Sequence, residues 1–417
     1  MPAYTPRIAD AELARRLEAH GAVLIEGPKA SGKTETARRL AQSEVRLDVD
    51  DGARRAAQVD PTLILGDAPP LLIDEWQHVP AIWNHVRRAV DHRGAVGQFI
   101  LTGSAVPPDD DTRHTGAGRI SRMLMRPMSL AELGRSSAEV SLASLLSGEP
   151  PRAADTGLRI PDIAEDLARG GWPGFRGRSL EAALEAVRDY LAEVCRTDIS
   201  RVDGVGRDPI RVEQLVASLA RNVATYAATS TLAADAPTSG PPLKEHTAAA
   251  YLDSLARLMV VEDQPAWAPH LRSRYRLRRA AKRHFVDPSL AVAAMRAMPE
   301  RLIADLNLFG FLFESLVVRD LRVYAQANDA RVLQYRDSNG LEIDAIVEVG
   351  DGRWAAFEVK LGEGQIDEAA TNLSNVVRQI DTTRCGEPAC LGVIVPSGYG
   401  YMRSDGVAVI PIGTLGV

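Results

Sequence analysis

The chain has 417 residues, of which 25% are charged and 45% belong to the hydrophobic set, a balance that excludes wholesale disorder. Its 49 basic and 55 acidic residues give a net charge of -6, which excludes a protein that is basic throughout but allows a local basic patch. The three cysteines provide no disulfide framework. Because we find no secretory h-region and no apolar run of transmembrane length, we expect a cytoplasmic protein without membrane contact.

The first functional motif is a phosphate-binding loop that follows an apolar strand. Residues 22–26 (AVLIE) predict the strand, and GPKASGKT matches G-x-x-x-x-G-K-[ST] at the start of a helix. Backbone N–H groups of such a loop point at phosphate oxygens, and the helix N-terminus favours an anion. We predict that ATP binds here, with Lys33 reaching the phosphates and Thr34 placing its hydroxyl on Mg²⁺. The predicted nucleotide contacts in the loop are Gly27, Pro28, Lys29, Ala30, Ser31, Gly32, Lys33 and Thr34.

Polar side chains end two further strands of this predicted parallel sheet. PPLLIDEW ends its apolar run in Asp74 and Glu75, so we predict that Asp74 helps to hold Mg²⁺ and that Glu75 orients the attacking water. QFIL is followed by Thr102 and Ser104, whose hydroxyls would lie near the γ-phosphate. An ordinary turn after a strand explains Thr102 and Ser104 equally well.

Three arginines follow an acidic, Gly- and Pro-containing loop. Arg119, Arg122 and Arg126 are candidates for a finger that completes the nucleotide site of a neighbouring chain in a homo-oligomer. Arg119 is the one that we predict to contact nucleotide. The alternative is that all three are surface residues.

These stretches resemble bacterial and archaeal AAA+-like P-loop ATPases that carry a C-terminal DUF4143-type region. The resemblance extends in order along nearly the whole chain, through GPKASGKTETA, LLIDEWQHVPAIWNHVRRAVD, GQFILTGSA and GRISRMLMRPMSLAEL, and then GGWPG, AAKRHFVDPSLA, GFLFESLVVRDL and LEIDAIVEVGDGRWAAFEVK. The predicted fold class is α/β, with the parallel sheet of a P-loop NTPase in residues 1–135. A helical and winged-helix-like region in 136–300 and a C-terminal α/β nuclease-like domain in 301–417 complete the prediction.

The middle region contains a helix and then a basic segment. LKEHTAAAYLDSLARLM (243–259) has an apolar stripe at helical spacing, which fits either a winged helix or a protein-packing module, and its few basic residues favour packing. In the segment that follows, alternate arginines would share one face of a strand and contact a DNA backbone, with Lys282 and Arg283 extending the charge. A solvated strand edge paired with local acids is the alternative. The predicted nucleic-acid contacts are Arg272, Arg274, Arg276 and Arg278.

The C-terminal region contains acids and a lysine spaced as in PD-(D/E)xK nucleases, whose fold it resembles. Asp344 lies on a predicted strand, WAAFEVK supplies Glu358 and Lys360 on one face of the next strand, and Glu314 lies upstream in a helix. The resemblance implies that Glu314, Asp344 and Glu358 hold a divalent metal and that Lys360 aids water activation. The alternative is a surface strand on which Glu358 and Lys360 merely pair.

We therefore predict an ATPase that requires Mg²⁺ and couples its P-loop domain to a C-terminal domain that binds or cleaves DNA. The alternative is a nucleotide-gated regulatory protein with slow turnover and a catalytically silent C-terminal domain.

Overall fold

We describe the protein from a computed structural model, within residues 4–103, 115–236, 242–269, 280–337 and 340–417. The N-terminal part contains a five-stranded parallel sheet in the order β2-β3-β4-β1-β5. β1 lies between β4 and β5 and is almost wholly buried, which explains its continuous apolar run. The strands are β1 (Ala22–Glu26), β2 (Ser43–Arg46), β3 (Leu71–Asp74), β4 (Phe99–Gly103) and β5 (Ile120–Leu124).

Helices cover both faces of this sheet and bury its apolar side chains. Leu13 and Leu17 of the first helix pack with Val23 on one face, and Trp83 and Val86 of the fourth pack with Leu24 on the other. These helices are α1 (Ile8–Ala19), α2 (Lys33–Arg38), α3 (Asp51–Val59) and α4 (Ile82–Arg93).

The middle of the chain is mostly helical and shares a large apolar core with the C-terminal part. A π-helical turn, Val194–Asp198, continues the seventh helix into the eighth. The elements are β6 (Val140–Ser141), α5 (Leu142–Leu146), α6 (Ile160–Arg169), α7 (Leu180–Glu193), α8 (Ile199–Arg201), α9 (Pro209–Arg221), α10 (Thr229–Asp235), α11 (Glu245–Arg257), α12 (Ser289–Ala294) and α13 (Pro299–Ala304).

The C-terminal part packs a long helix against a six-stranded mixed sheet. The sheet order is β11-β12-β10-β9-β8-β7, with antiparallel pairs at both ends and parallel pairs around β10. The helices are α14 (Leu306–Ala327), α15 (Ile366–Gln379) and α16 (Thr382–Cys385). The strands are β7 (Ala330–Arg336), β8 (Glu342–Val349), β9 (Trp354–Val359), β10 (Cys390–Val395), β11 (Tyr401–Met402), β12 (Val407–Pro411) and β13 (Leu415–Gly416).

The end of the chain returns to the middle region, because β13 pairs in parallel with β6. The N-terminal parallel sheet, the helical middle and the C-terminal mixed sheet confirm the predicted α/β fold class. Within the described ranges, none of the helices is both long enough and apolar enough to cross a bilayer.

Candidate nucleotide site and C-terminal carboxylate cluster

The phosphate-binding loop lies between β1 and α2, at the carboxyl edge of the parallel sheet. Gly32 has a φ of +97°, in the left-handed region that favours glycine. Gly27 has no room for a side chain, because an added Cβ would lie 2.2 Å from the carbonyl oxygen of Met125. The buried Nζ of Lys33 donates to the carbonyl oxygens of Gly27 at 2.9 Å and Pro28 at 2.8 Å. The loop therefore folds around its lysine.

The acids that end β3 lie beside this loop. The Oγ1 of Thr34 donates to the Oδ1 of Asp74 at 2.8 Å, and the Oγ1 of Thr102 donates to the same oxygen. Glu75 has a φ of +54°, and its backbone N–H points at the Oγ1 of Thr102 at 3.3 Å. The Glu75 carboxylate accepts a hydrogen bond from Gln77. The hydroxyl of Thr102 thus connects the ends of β3 and β4.

The electrostatic environment of Lys33 combines burial with nearby negative charge. Burial lowers the pKa of Lys33 to about 8, while the carboxylates of Glu75 and Asp74 act in the opposite direction. With that pKa, most Lys33 side chains carry a positive charge at neutral pH. Lys33 is therefore a cation next to the position expected for phosphates.

A pocket of about 680 Å³ opens over the loop, and residues of the middle region form part of its wall. The Nζ of Lys29 donates to the Oδ1 of Asp198 at 2.6 Å, so the π-helical turn contacts the loop directly. Sequence reasoning missed this wall because its members are far away in the chain. The residues concerned are Pro173, Gly174, Asp198, Arg201, Val202 and Leu258, which face Lys29, Ala30, Gly32, Lys33, Thr34 and Glu75.

The residues at the loop fit a phosphate and a magnesium ion. The Thr34 hydroxyl and the Asp74 carboxylate already lie within hydrogen-bond distance of each other, and oxygen ligands of these kinds are those that Mg²⁺ prefers. The hydroxyl of Ser31 is buried and has no hydrogen-bond partner among the residues that the structure describes. It is therefore available to a ligand in the loop.

The three candidate arginines lie in different environments. Arg119 precedes β5, so it lies at the amino edge of the sheet, where it pairs with Asp91 at 2.7 Å. It is separated by the length of the strand from the loop of its own chain, so a nucleotide contact by Arg119 would require a second chain and stays a prediction. Arg122 pairs with Glu26 at 2.7 Å, and Arg126 is turned towards the middle region. Ser104, Arg272, Arg274, Arg276 and Arg278 lie outside the described residues.

The acids of the C-terminal region come together around two lysines. The Nζ of Lys282 donates to Glu314 on α14 and, at 3.1 Å, to the Oδ1 of Asp344 on β8. The Nζ of Lys360 lies 2.7 Å from the Oε2 of Glu358 and 4.0 Å from the Oδ2 of Asp344. We call these five residues the carboxylate cluster. Four of them, all but Lys282, are residues that the sequence analysis had grouped, and the structure places these four close together.

Burial and mutual repulsion give the three carboxyl groups of the cluster different pKa values. Burial raises the pKa of Glu314 to about 8 and that of Glu358 to about 7, and the charge of Asp344 adds to both shifts. Burial acts in the same direction on Asp344, but Lys282 and Lys360 outweigh it and hold the pKa of Asp344 below its usual range. Asp344 is therefore the cluster's most acidic group.

The cluster does not fit a divalent metal. The ammonium of Lys282 lies between Glu314 and Asp344, and Glu358 is taken up by Lys360 and by the Nδ2 of Asn372, at 2.9 Å. In the part of the chain that the structure describes, no group of three or more His, Cys, Asp or Glu side chains could hold a metal ion. Glu314, Asp344 and Glu358, the predicted ligand set, thus form ion pairs with lysines in this structure, and a metal bound by them stays a prediction.

The two described residues that were predicted to extend the basic segment, Lys282 and Arg283, pair with local acids. Lys282 is buried in the carboxylate cluster and does not project as a surface charge. Arg283 forms an ion pair with Asp263 and donates to the carbonyl oxygen of Ala227. The pairing with local acids agrees with one half of the alternative given for this segment, but the burial of Lys282 differs from the solvated strand edge of that alternative.

Comparisons with known proteins agree with this order of domains. Residues 19–134 match the family model described as AAA domain, residues 160–301 match a domain of unknown function (DUF8612), and residues 309–415 match another (DUF4143). These matches, with the parallel sheet and its loop, confirm the predicted resemblance to AAA-like P-loop ATPases that carry a C-terminal DUF4143 region. The nuclease-like part of the resemblance stays a prediction.

Two relatives match nearly the whole of this chain, and one solved structure matches part of it. The chain is 25% identical to the uncharacterized protein Rv2008c of Mycobacterium tuberculosis, over 97% of this chain and 83% of the relative, and the same values hold for Mb2031c of Mycobacterium bovis. The solved Walker-type ATPase PABY2304 of Pyrococcus abyssi is 14% identical, with a TM-score of 0.42 over 68% of this chain and 94% of that one.

Proposed function

We propose that the chain binds ATP with Mg²⁺ in the phosphate-binding loop, hydrolyses it, and transmits the nucleotide state to its C-terminal domain. One observation carries the first part of this proposal. Lys33, Thr34 and Glu75 line one pocket at the carboxyl edge of a parallel sheet, and the buried Asp74 accepts a hydrogen bond from Thr34 there. These are the side chains that phosphoryl transfer to water requires.

Each of these side chains has a distinct role. Lys33 would leave its two carbonyl partners and bind the terminal phosphates, because charged oxygens are stronger acceptors than peptide carbonyls. Thr34 and Asp74 would hold Mg²⁺, which neutralises phosphate charge when bound. Glu75 would orient the water that attacks the γ-phosphate. Thr102 fixes Asp74 and, through the backbone, Glu75.

The decisive variant for hydrolysis is Glu75→Gln, which keeps the shape of the side chain and removes its charge. We expect ATP affinity within about twofold of wild type and a kcat about 100-fold lower, because the variant loses the group that orients and deprotonates water. Calorimetry with ATP and Mg²⁺ would measure the affinity, and phosphate release would measure the rate. Glu18→Gln, an exposed position on α1, is the matched control. Wild-type turnover in Glu75→Gln would contradict the assignment.

The second part of the proposal rests on a continuous series of contacts from the loop to the C-terminal helix. Arg7 donates to the carbonyl oxygens of Ser31 in the loop (2.7 Å) and of Arg126 (2.8 Å). Arg126 in turn binds both carboxylate oxygens of Glu262, at 2.6 and 2.8 Å, and donates to Gln326 on α14. A change in the loop on nucleotide binding therefore acts on residues of all three regions.

Arg126→Gln tests this connection. In the wild type, we expect ATP to slow amide hydrogen exchange in α14, and in Arg126→Gln we expect ATP binding to persist while most of that slowing disappears. Hydrogen exchange read by mass spectrometry, with and without ATP, is the measurement. Arg384→Gln is the control, because Arg384 on α16 forms an exposed ion pair with Asp381 and takes no part in this series of contacts. An unchanged nucleotide effect in Arg126→Gln would rule out this route.

Two roles were predicted for the C-terminal domain, namely DNA binding or cleavage and a catalytically silent regulatory role. The lysines inside the carboxylate cluster favour the silent role. DNA binding stays a prediction from the arginines of residues 272–278. The test is to measure DNA affinity at several salt concentrations. We expect a salt-dependent loss of affinity when the four arginines are changed to alanine.

A further inference from the structure

Lys282 is enclosed by the two carboxylates that it binds. Its side chain is 4% exposed, and those of Glu314 and Asp344 are 10% and 13% exposed. The ammonium contacts one carboxylate on α14 and one on β8 at the same time. It thus links α14 to the sheet of the C-terminal domain. The ammonium occupies the point where a metal with these two ligands would lie.

The remaining acid of the cluster is occupied in a similar way. Glu358 accepts from Lys360 at 2.7 Å and from Asn372 at 2.9 Å, so both of its oxygens have partners. The Oδ2 of Asp344 accepts from the backbone N–H of Val359 at 3.0 Å. Three carboxylates therefore face two ammonium groups, and the negative charge that would attract a divalent ion is largely neutralised.

The backbone holds Lys282 firmly in position. Its N–H and carbonyl both pair with the backbone of Gln264, at 3.0 and 2.8 Å, as in an antiparallel ladder. The next residue, Arg283, donates its backbone N–H to Thr225 at 2.8 Å. The fully buried Gln264 also donates its side-chain amide to the carbonyl oxygens of Leu333 and Asp344. Backbone hydrogen bonds within the middle region therefore hold Lys282 in its position inside the cluster.

We propose that Lys282 is the resident cation of the carboxylate cluster, so that the C-terminal domain binds no divalent metal there and hydrolyses no phosphodiester bonds. A metal ion would have to displace an ammonium group that is buried and held by its backbone, and this ammonium would then lack a counter-charge. The segment that carries Lys282 belongs to the region matched as DUF8612, whereas the acids belong to the DUF4143 region. The ion pairs of Lys282 with Glu314 and Asp344 consequently join the two regions at the place where a nuclease would hold its metal.

This inference specifies the silent role given above for the C-terminal domain and does not depend on ATP hydrolysis. Its test is Mn²⁺ binding to the nucleotide-free full chain, followed by electron paramagnetic resonance. Asp344→Asn serves as the baseline, since it removes a ligand of the cluster and leaves the phosphate-binding loop intact. We expect wild type and Asp344→Asn to bind Mn²⁺ alike.

Removing the internal cation should create a metal site. In Lys282→Ala we expect one additional Mn²⁺ per chain, bound at least about tenfold more tightly than by the wild type, because two buried carboxylates then face each other with room between them. The double variant Lys282→Ala/Asp344→Asn should lose the gain. Lys282→Arg, which keeps a positive charge, and Lys244→Ala, at an exposed lysine, should show none.

Three outcomes would overturn the proposal. The first is a wild-type Mn²⁺ site that disappears in Asp344→Asn. The second is a folded Lys282→Ala, judged by circular dichroism, that gains no site. The third is Mg²⁺- or Mn²⁺-dependent nicking of plasmid by the wild type that Asp344→Asn abolishes. If Lys282→Ala does not fold, the comparison of wild type with Asp344→Asn still decides the question. ATP hydrolysis by the same preparations is measured separately, because the proposal does not depend on it.

Discussion

Lys33→Ala should lower kcat/KM for ATP hydrolysis about 1000-fold, which is the upper range for loss of one donor aimed at transition-state charge. The expected size of the effect follows from the position of the ammonium. It is buried in the loop, held by Gly27 and Pro28, and carries its charge where the terminal phosphates would lie. Phosphate release and calorimetry with ATP and Mg²⁺ are the measurements.

Arg38→Ala is the matched control for that experiment. Arg38 ends the same helix, α2, and forms exposed ion pairs with Glu35 and Glu44, so we expect a change of no more than about twofold. Thermal unfolding of both variants would establish that they are folded. ATP binding by Lys33→Ala with wild-type affinity would remove the basis of the proposed function. The Mn²⁺ experiments on the carboxylate cluster would keep their meaning in that case.

The phosphate-binding loop could be predicted because its determinants are local. A strand, a glycine-containing loop and a helix follow one another within residues 22–38, and the motif fixes which residue faces the phosphates. Asp74 and Glu75 could be added because the carboxyl ends of neighbouring parallel strands lie at the same edge of a sheet. The same rule places Arg119, which precedes its strand, at the opposite edge of the sheet, so its predicted nucleotide contact would be to the site of a second chain.

The rest of the two sites depends on contacts between distant parts of the chain. Asp198 meets Lys29 across 169 residues, and Lys282 meets Asp344 across 62. Neither contact has a local periodic signal. For Lys282 the local pattern was misleading, because a run of basic residues is typical of a surface that binds nucleic acid. The clue that sequence reasoning passed over was the acids themselves, since three buried carboxylates require buried cations.

Arg319→Met should lower the free energy of unfolding by about 3–5 kcal/mol, the cost of removing one partner from a buried ion pair. Arg319 lies in α14, is fully buried, and binds Asp287 at 3.0 Å and Asp320 at 2.6 Å. These two acids also accept backbone N–H groups, Asp287 from Gly171 and Asp320 from Leu130. One guanidinium thus neutralises two carboxylates that hold the middle region and the segment after the parallel sheet against α14.

The pH dependence distinguishes this electrostatic role from simple packing. Methionine fills similar space, so the deficit of Arg319→Met comes mainly from carboxylates left buried without a counter-charge. Burial already raises the pKa of Asp320 in the wild type, against the opposing effect of Arg319, and the variant loses that opposition. Because protonation removes the uncompensated charge, the deficit should shrink as the pH falls from about 7 to about 5. Urea unfolding at both pH values measures this deficit.

Arg331→Met, at an exposed pair with Glu348, should cost less than about 1 kcal/mol at either pH. A pH-independent deficit in Arg319→Met would assign the loss to packing alone.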